Sequence, residues 1–146
     1  MHKIIEQSLI NEEIQALFEF TQDFEKRIQW DSQTSSITFM NTEKQLKKGA
    51  QVTVISSNDV RMDTEYTVFT PPHQIAIKML NKSSIFRSFN GSWTYTDVSA
   101  NQTKLTIIYE FKLQPLYWLL QPIVLKKIRQ NMRNKLEDLA LAIVNR

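Results

Sequence analysis

Few side chains in this 146-residue sequence could do chemistry, and their types narrow what that chemistry is. There is no cysteine, so disulfides, thiolate metal sites and cysteine nucleophiles are excluded. The two histidines are His2, terminal and expected to be mobile, and His73, which follows Pro72 in a turn and is expected at the surface. No spacing of His73 with carboxylates suggests a metal site. General acid or base work would fall to Asp63, Glu65 or Glu110, if burial raised their pKa values. Their strand register puts them mostly on an outer face. Glycine occurs twice only, so no glycine-rich phosphate loop can form, and no nucleophile elbow is present. What remains is Tyr66, Tyr95 and Tyr109, three hydroxyls on one strand face that could hydrogen-bond a ligand carbonyl or hydroxyl, although buried tyrosines need partners in any case. Arg87 shares the register of Ile85 and Phe89. It either turns inward onto Glu65, Glu110 or a ligand anion, or reaches solvent from a strand end. The residues thus name no catalytic group, no metal ligand and no cofactor.

The elements that must position these residues can be read from periodicity. Thr103 to Leu113 alternates, with Leu105, Ile107, Tyr109, Phe111 and Leu113 on one face and Lys104, Thr106, Glu110 and Lys112 on the other. That period of two marks a strand with one buried face. After Pro115, Leu116, Leu119, Leu120, Ile123, Val124, Ile128, Met132, Leu136, Leu139 and Ile143 recur at three- and four-residue steps, which predicts one long amphipathic helix to the C-terminus. A helix of ~30 residues spans ~45 Å, enough to lie along a whole sheet. Pro122 removes a hydrogen bond there, so a kink or a two-part helix is expected. Upstream, Lys3–Ile10 reads as a first strand. Asn11 is the expected cap of a helix carrying Ile14, Leu17 and Phe18, and a second short helix covers Gln22–Ile28. Strands follow over 35–40, 51–56, 60–70, 73–80 and 84–96, the last with Gly91 marking a bulge or a close approach. Consecutive strands joined by turns pair antiparallel. The fold class is α+β: a curved antiparallel sheet of about seven strands gripping a long C-terminal helix, with two short helices after the first strand, as one domain over 1–146. Such a sheet bends more than a straight helix can fill, which leaves a gap.

Charge and hydropathy limit the partners. The net charge of +3 is concentrated between Lys126 and Arg146, where six Lys/Arg face two acids. This is expected to be the solvated outer face of the last helix, and its cations do not interleave with aromatics as a nucleic-acid site would require. The most apolar window, residues 115–125, is too short to span a bilayer, and the N-terminus has no run long enough for a signal peptide. Absence of cysteine fits a reducing cytoplasm. Tyr117 and Trp118 diverge by about 100° on a helix, so one of them is exposed next to Lys126 and Lys127, where it could make transient contact with a membrane surface or a partner.

Four places in this order resemble a known superfamily. Ile10-Asn11 with Leu17-Phe18, then Trp30-Asp31, then the run Tyr66 to Ile75 with its Pro71-Pro72 turn, then Gly91 to Tyr95 with Thr103 to Thr106 and Tyr109 to Phe111, resemble START-like helix-grip proteins of the polyketide cyclase/dehydrase and lipid-transport superfamily. The resemblance covers nearly the whole chain. It implies a hydrophobic cavity between sheet and long helix. It fixes no activity, since members bind lipids, sterols, quinones or polyketides and only some are enzymes. It supplies no catalytic residue, because the superfamily has no universal catalytic motif.

The expected cavity lining from the sheet is Met62, Thr64, Tyr66, Val68, Phe89, Trp93, Tyr95, Ile107, Tyr109 and Phe111, with Ile85 and Leu105 in the same register. The long helix adds Tyr117, Leu120, Val124 and Ile128, with Met132 beyond them. The set is apolar and aromatic with a few hydroxyls, the usual lining of a small-molecule pocket. The same side chains could instead fill a core. The expected gates are the 41–49 loop and residues 115–122. The first expectation is a binding module for a hydrophobic or amphipathic molecule such as a lipid, quinone or polyketide, acting as a monomer or homodimer. The alternatives are a cyclase- or dehydratase-like enzyme using the same pocket, and an interaction protein with a filled core. A shifted carboxylate or histidine facing the cavity would mark the enzyme, and a packed interior with an exposed apolar patch would mark the interaction protein.

Overall fold

The computed structural model describes residues 1–42 and 44–146. In chain order it contains β1 (His2–Ile10), α1 (Ile14–Gln22), α2 (Phe24–Trp30), β2 (Thr34–Phe39), β3 (Gln51–Ser56), β4 (Arg61–Thr70), β5 (Gln74–Met79), β6 (Phe86–Ser99), β7 (Gln102–Leu113), a 3₁₀ turn (Pro115–Tyr117) and α3 (Gln121–Asn145). The seven strands form one antiparallel sheet in the order β1-β7-β6-β5-β4-β3-β2. This is the expected α+β helix-grip arrangement, with α1 and α2 bridging from the first strand to the far edge of the sheet.

Local chemistry explains the element boundaries. Glu13, not Asn11, caps α1: its carboxylate accepts hydrogen bonds from the N–H groups of Gln15 and Ala16 at 2.9 Å. These bonds also lower the Glu13 pKa. Asp23 caps α2 in the same way, which ends α1 and starts α2 at one residue. His2 is a strand residue packed on the Phe111 ring at 5.6 Å, so it is tied down and not a loose terminus. Pro71–Pro72 is a cis bond at the β4–β5 turn, and His73 beside it is exposed as expected. Arg87 is exposed, because the β6–β7 register shifts between Phe86 and Ser88.

The long helix departs from its periodicity. Pro122 sits in the first turn of α3, where its missing N–H costs nothing, and the chain before it is a separate 3₁₀ turn. Of the expected kink or two-part helix, the structure has two parts, the 3₁₀ turn and an α3 of 25 residues. Its buried side chains, Met132, Lys135, Leu136, Leu139 and Ile143, all lie from the middle of the helix onward. Leu116, Leu119, Leu120 and Ile123, expected to be buried, are exposed. Leu116, Leu119 and Leu120 belong to the segment before α3, and Ile123 lies at the edge of a void roofed by the N-terminal half of α3. The basic residues are also not one solvated face. Arg129 and Arg133 bind Glu6 at 3.0 and 2.8 Å, Arg146 pairs with Glu12, and Lys135 turns inward.

Candidate functional site

The void is a cavity of about 500 Å³ between the inner face of β2–β7, α2 and the N-terminal half of α3. That volume suits a drug-sized or lipid-sized molecule. Of the expected residues, Met62, Thr64, Tyr66, Phe89, Trp93, Tyr109, Tyr117, Val124 and Ile128 stand on its wall, together with Ile85 and Met132.

Val68, Tyr95, Ile107, Phe111 and Leu120 do not line it, each for a local reason. A register shift in β4 between Tyr66 and Val68 breaks the alternation, so Phe69 takes the inner position and packs on Phe18 and Tyr66. Tyr95 lies under α1, edge-on to Phe18 at 5.1 Å. Ile107 and Phe111 are fully buried on the side toward β1, with Phe111 packed against Phe86 and Phe89, and Leu105 is equally inaccessible. Leu120 precedes α3 and faces outward. Of the two expected gates, none of the described residues of 41–49 stands on the wall, and Glu43 lies outside the described residues. From 115–122 only Tyr117 contributes, while Trp118 is the exposed aromatic, its indole donating to the Leu113 carbonyl at 3.2 Å.

The three tyrosines have different tasks. Thr21 donates to the Phe18 carbonyl at 3.1 Å, so the Tyr95 hydroxyl donates to Thr21 Oγ1 at 2.6 Å. Gln22 Nε2 donates to the Tyr95 hydroxyl at 3.1 Å, and Tyr66 donates to Gln22 Oε1 at 3.2 Å. This chain fastens α1 to β4 and β6 and consumes Tyr95 completely. The Tyr109 hydroxyl, on the cavity wall, has no hydrogen-bond partner among the described residues. Burial pushes its pKa up to about 12, so it stays a neutral donor and acceptor. Gly91 pairs with Tyr109 in an unbroken register, so it marks no bulge. A Cβ there would meet Phe89 Cε1 and Tyr109 Cδ1 at 3.4 Å, ordinary contact, so the expected close approach is no tighter than a side chain would tolerate.

One feature of the wall was not expected from sequence: an ionic cluster at its α2 end. Asp31, wholly buried, accepts from Lys135 Nζ at 2.6 Å, Arg27 Nε at 3.2 Å, Thr34 Oγ1 at 2.9 Å and the Gln33 N–H at 3.0 Å. Burial alone would raise the Asp31 pKa, but the charges of Lys135 and Arg27 outweigh it and hold the carboxyl at about 2. Burial pulls Lys135 down to about 8, and the repulsion from Arg27 works in the same direction against the attraction of Asp31. Arg27 and Lys135 stand on the cavity wall, with the Arg27 guanidinium 4.8 Å from the centre of the Trp93 ring. Two signals pointed here. Arg27 and Asp31 are four apart on a helix, and Lys135 falls three after Met132 and four before Leu139, on the apolar stripe.

The wall contains no Asp, Glu or His among the described residues. Asp63 binds Thr53 and Arg61 on the outer face, and Glu65 binds Gln51 and Lys78. No group of three or more His, Asp or Glu among the described residues is arranged to hold a metal. None of the described helices is long and apolar enough to cross a membrane.

Solved structures share this architecture. A Thermus thermophilus protein superposes with a TM-score of 0.82 at 14% identity, covering 99% of this chain and 98% of its own. A START superfamily protein from Mycobacterium smegmatis gives 0.74 at 13% identity, covering 98% and 94%. The Zhui aromatase/cyclase from a Streptomyces species gives 0.68 at 13% identity, covering 99% and 89%. At these identities the likeness is one of fold. No curated protein sequence matches this one. The family described as polyketide cyclase / dehydrase and lipid transport matches residues 1–143. With nearly every residue inside that match, the chain belongs to the polyketide cyclase / dehydrase and lipid transport family.

Proposed function

We propose that this protein binds an apolar or amphipathic small molecule in the cavity under α3. The observation that carries this reading is the cavity itself: about 500 Å³, walled by aromatic and aliphatic side chains, with the unpartnered Tyr109 hydroxyl inside. A ligand burying roughly 200 Å² of apolar surface there would gain about 5 kcal/mol before ordering costs. The hydroxyl, with no protein partner to give up, would orient the ligand by a hydrogen bond. Binding without turnover is favoured over a cyclase- or dehydratase-like reaction, because the wall offers no carboxylate or imidazole and its one downshifted lysine, Lys135, is held on Asp31 at 2.6 Å. We place the same protein in the cytoplasm, in keeping with its lack of cysteine.

The segment flanking Tyr117 on the cavity wall supports a second, transient contact. Leu116, Trp118 and Leu119 are exposed, Leu119 at 94%, and Lys126 and Lys127 follow them. Apolar side chains beside cations suit a membrane surface from which a ligand is taken or to which it is delivered. Native mass spectrometry of protein purified from its own host tests the binding reading. A bound mass of a few hundred daltons, lost on denaturation, supports it. A protein that stays ligand-free both as purified and after incubation with fatty acids, quinones and polyketides would count against it.

A further inference from the structure

The cavity is unevenly charged. Every charged side chain on its wall among the described residues is a cation: Arg27, Lys127 and Lys135. Lys127 is exposed at the mouth, whereas Lys135 and Arg27 are inside, with side-chain exposures of 9% and 15%. Their shared counter-ion is the single carboxylate of Asp31, which sits behind the wall and not on it. Asp138, half-buried, also attracts Lys135, but it too is off the wall, so the wall itself carries an excess of positive charge that solvent cannot fully compensate. The geometry makes the excess available at one place. Arg27 spends only its Nε on Asp31, and its two terminal nitrogens have no partner among the described residues. The guanidinium is held over the Trp93 ring, 4.8 Å from its centre, and by Asp31 at Nε, so its free edge loses little freedom on binding. Tyr109, whose hydroxyl is also unpartnered, shares this wall.

From this we propose that the α2 end of the cavity is an anion-binding subsite, and that the ligand is an amphiphile carrying a single carboxylate or equivalent anion on an apolar body. The inference rests on the binding reading above and adds the chemical class. The anion accepts from the free nitrogens of Arg27, and the Tyr109 hydroxyl donates to it or to a neighbouring oxygen. The apolar body extends along Phe89, Ile77 and Val124 toward the mouth. A guanidinium offers two parallel donors to a carboxylate, which gives both charge and orientation. A neutral ligand would leave those donors buried and unmet.

The test compares two fluorescent probes of the same body, pyrenebutyrate and pyrenebutanol, titrated at pH 7 into wild type, Arg27→Gln and Arg27→Lys. The acid is the more hydrated of the pair, so without a subsite the alcohol binds as well or better. We expect wild type to prefer the acid by about tenfold or more, as a charge-assisted pair is roughly twice as strong as a neutral one. Arg27→Gln should bring the two probes to parity, and Arg27→Lys should restore part of the preference, which a mere packing role would not do. Equal or tighter binding of the alcohol by wild type overturns the subsite and leaves the cavity reading standing. A full acid preference retained in Arg27→Gln also overturns it. Failure of wild type to bind either probe overturns the subsite together with the binding reading. The wild-type comparison needs no variant, so poor folding of Arg27→Gln does not blunt the test.

Discussion

Replacing Asp31 by asparagine should destabilise this fold more than any other polar substitution near the cavity. The wild-type carboxylate accepts four hydrogen bonds, two of them from buried cations. Asparagine has nearly the same shape but one acceptor oxygen, and its amide turns donors toward the donors of Lys135 and Arg27. Lys135 is then a buried ammonium whose remaining counter-charge is the more distant Asp138. Removing one partner of a buried pair costs about 3–5 kcal/mol. For a chain of this length each kcal/mol lowers Tm by roughly 2–4 °C, so the variant should melt about 10 °C or more below wild type. Circular dichroism melts at pH 7 measure it. The double variant Asp31→Asn/Lys135→Met removes the stranded charge and fills the space with an apolar chain of similar length. It should recover more than half of the loss. A single variant within about 2 °C of wild type, or a double variant as unstable as the sum of the two singles, would refute the reading of Asp31 as the anchor of a buried cluster.

Further outcomes follow from the same geometry. Tyr95→Phe removes a hydroxyl bonded to Thr21 and Gln22 and should cost about 1–3 kcal/mol in chemical denaturation while leaving probe binding unchanged. Tyr109→Phe should do the reverse, with stability kept within about 1 kcal/mol and probe affinity reduced, since its hydroxyl has no protein partner to lose. The acid limb should carry the signature of Asp31. Its folded pKa of about 2 lies below the ordinary 3.8, so its contribution is present above pH 3.8 and disappears as pH falls toward 2. The measured loss over that range should be smaller in Asp31→Asn. Lys135 gives a slope of the same sign at the alkaline end. Its folded pKa of about 8 lies below the ordinary 10.5, so the unfolded chain holds a proton that the folded chain has released. Wild type should therefore gain stability relative to Lys135→Met as pH rises from 8 to 10.5, read from paired melts.

The fold was legible because its signals are long and redundant. The alternation of β7 runs for a dozen residues with the apolar set on one face, and a turn or proline separates each strand from the next. The site was only partly legible, and the misreadings have local causes. One extra residue in β4 moves Val68 off the inner face and Phe69 onto it, and no composition signal marks that shift. The apolar stripe of residues 116–143 is continuous in sequence, yet Leu116, Leu119 and Leu120 face outward before α3 begins and Ile123, Val124 and Ile128 border the void, so spacing alone cannot tell a packed face from a roof. Lys135 was read with its basic neighbours, although its position on the stripe places it inside. A long-range partner 104 residues away, Asp31, is what makes that burial tolerable.

The central claim is that an apolar molecule lodges between the sheet and the N-terminal half of α3. Methyl-resolved NMR of isoleucine, leucine and valine labelled protein, titrated with pyrenebutyrate, tests it most directly. The account predicts saturable shifts at Ile77, Ile85, Val124 and Ile128 on the cavity wall, with little change at exposed Leu119, Leu141 and Val144. Shifts confined to those exposed methyls, or none at any wall position, would contradict it.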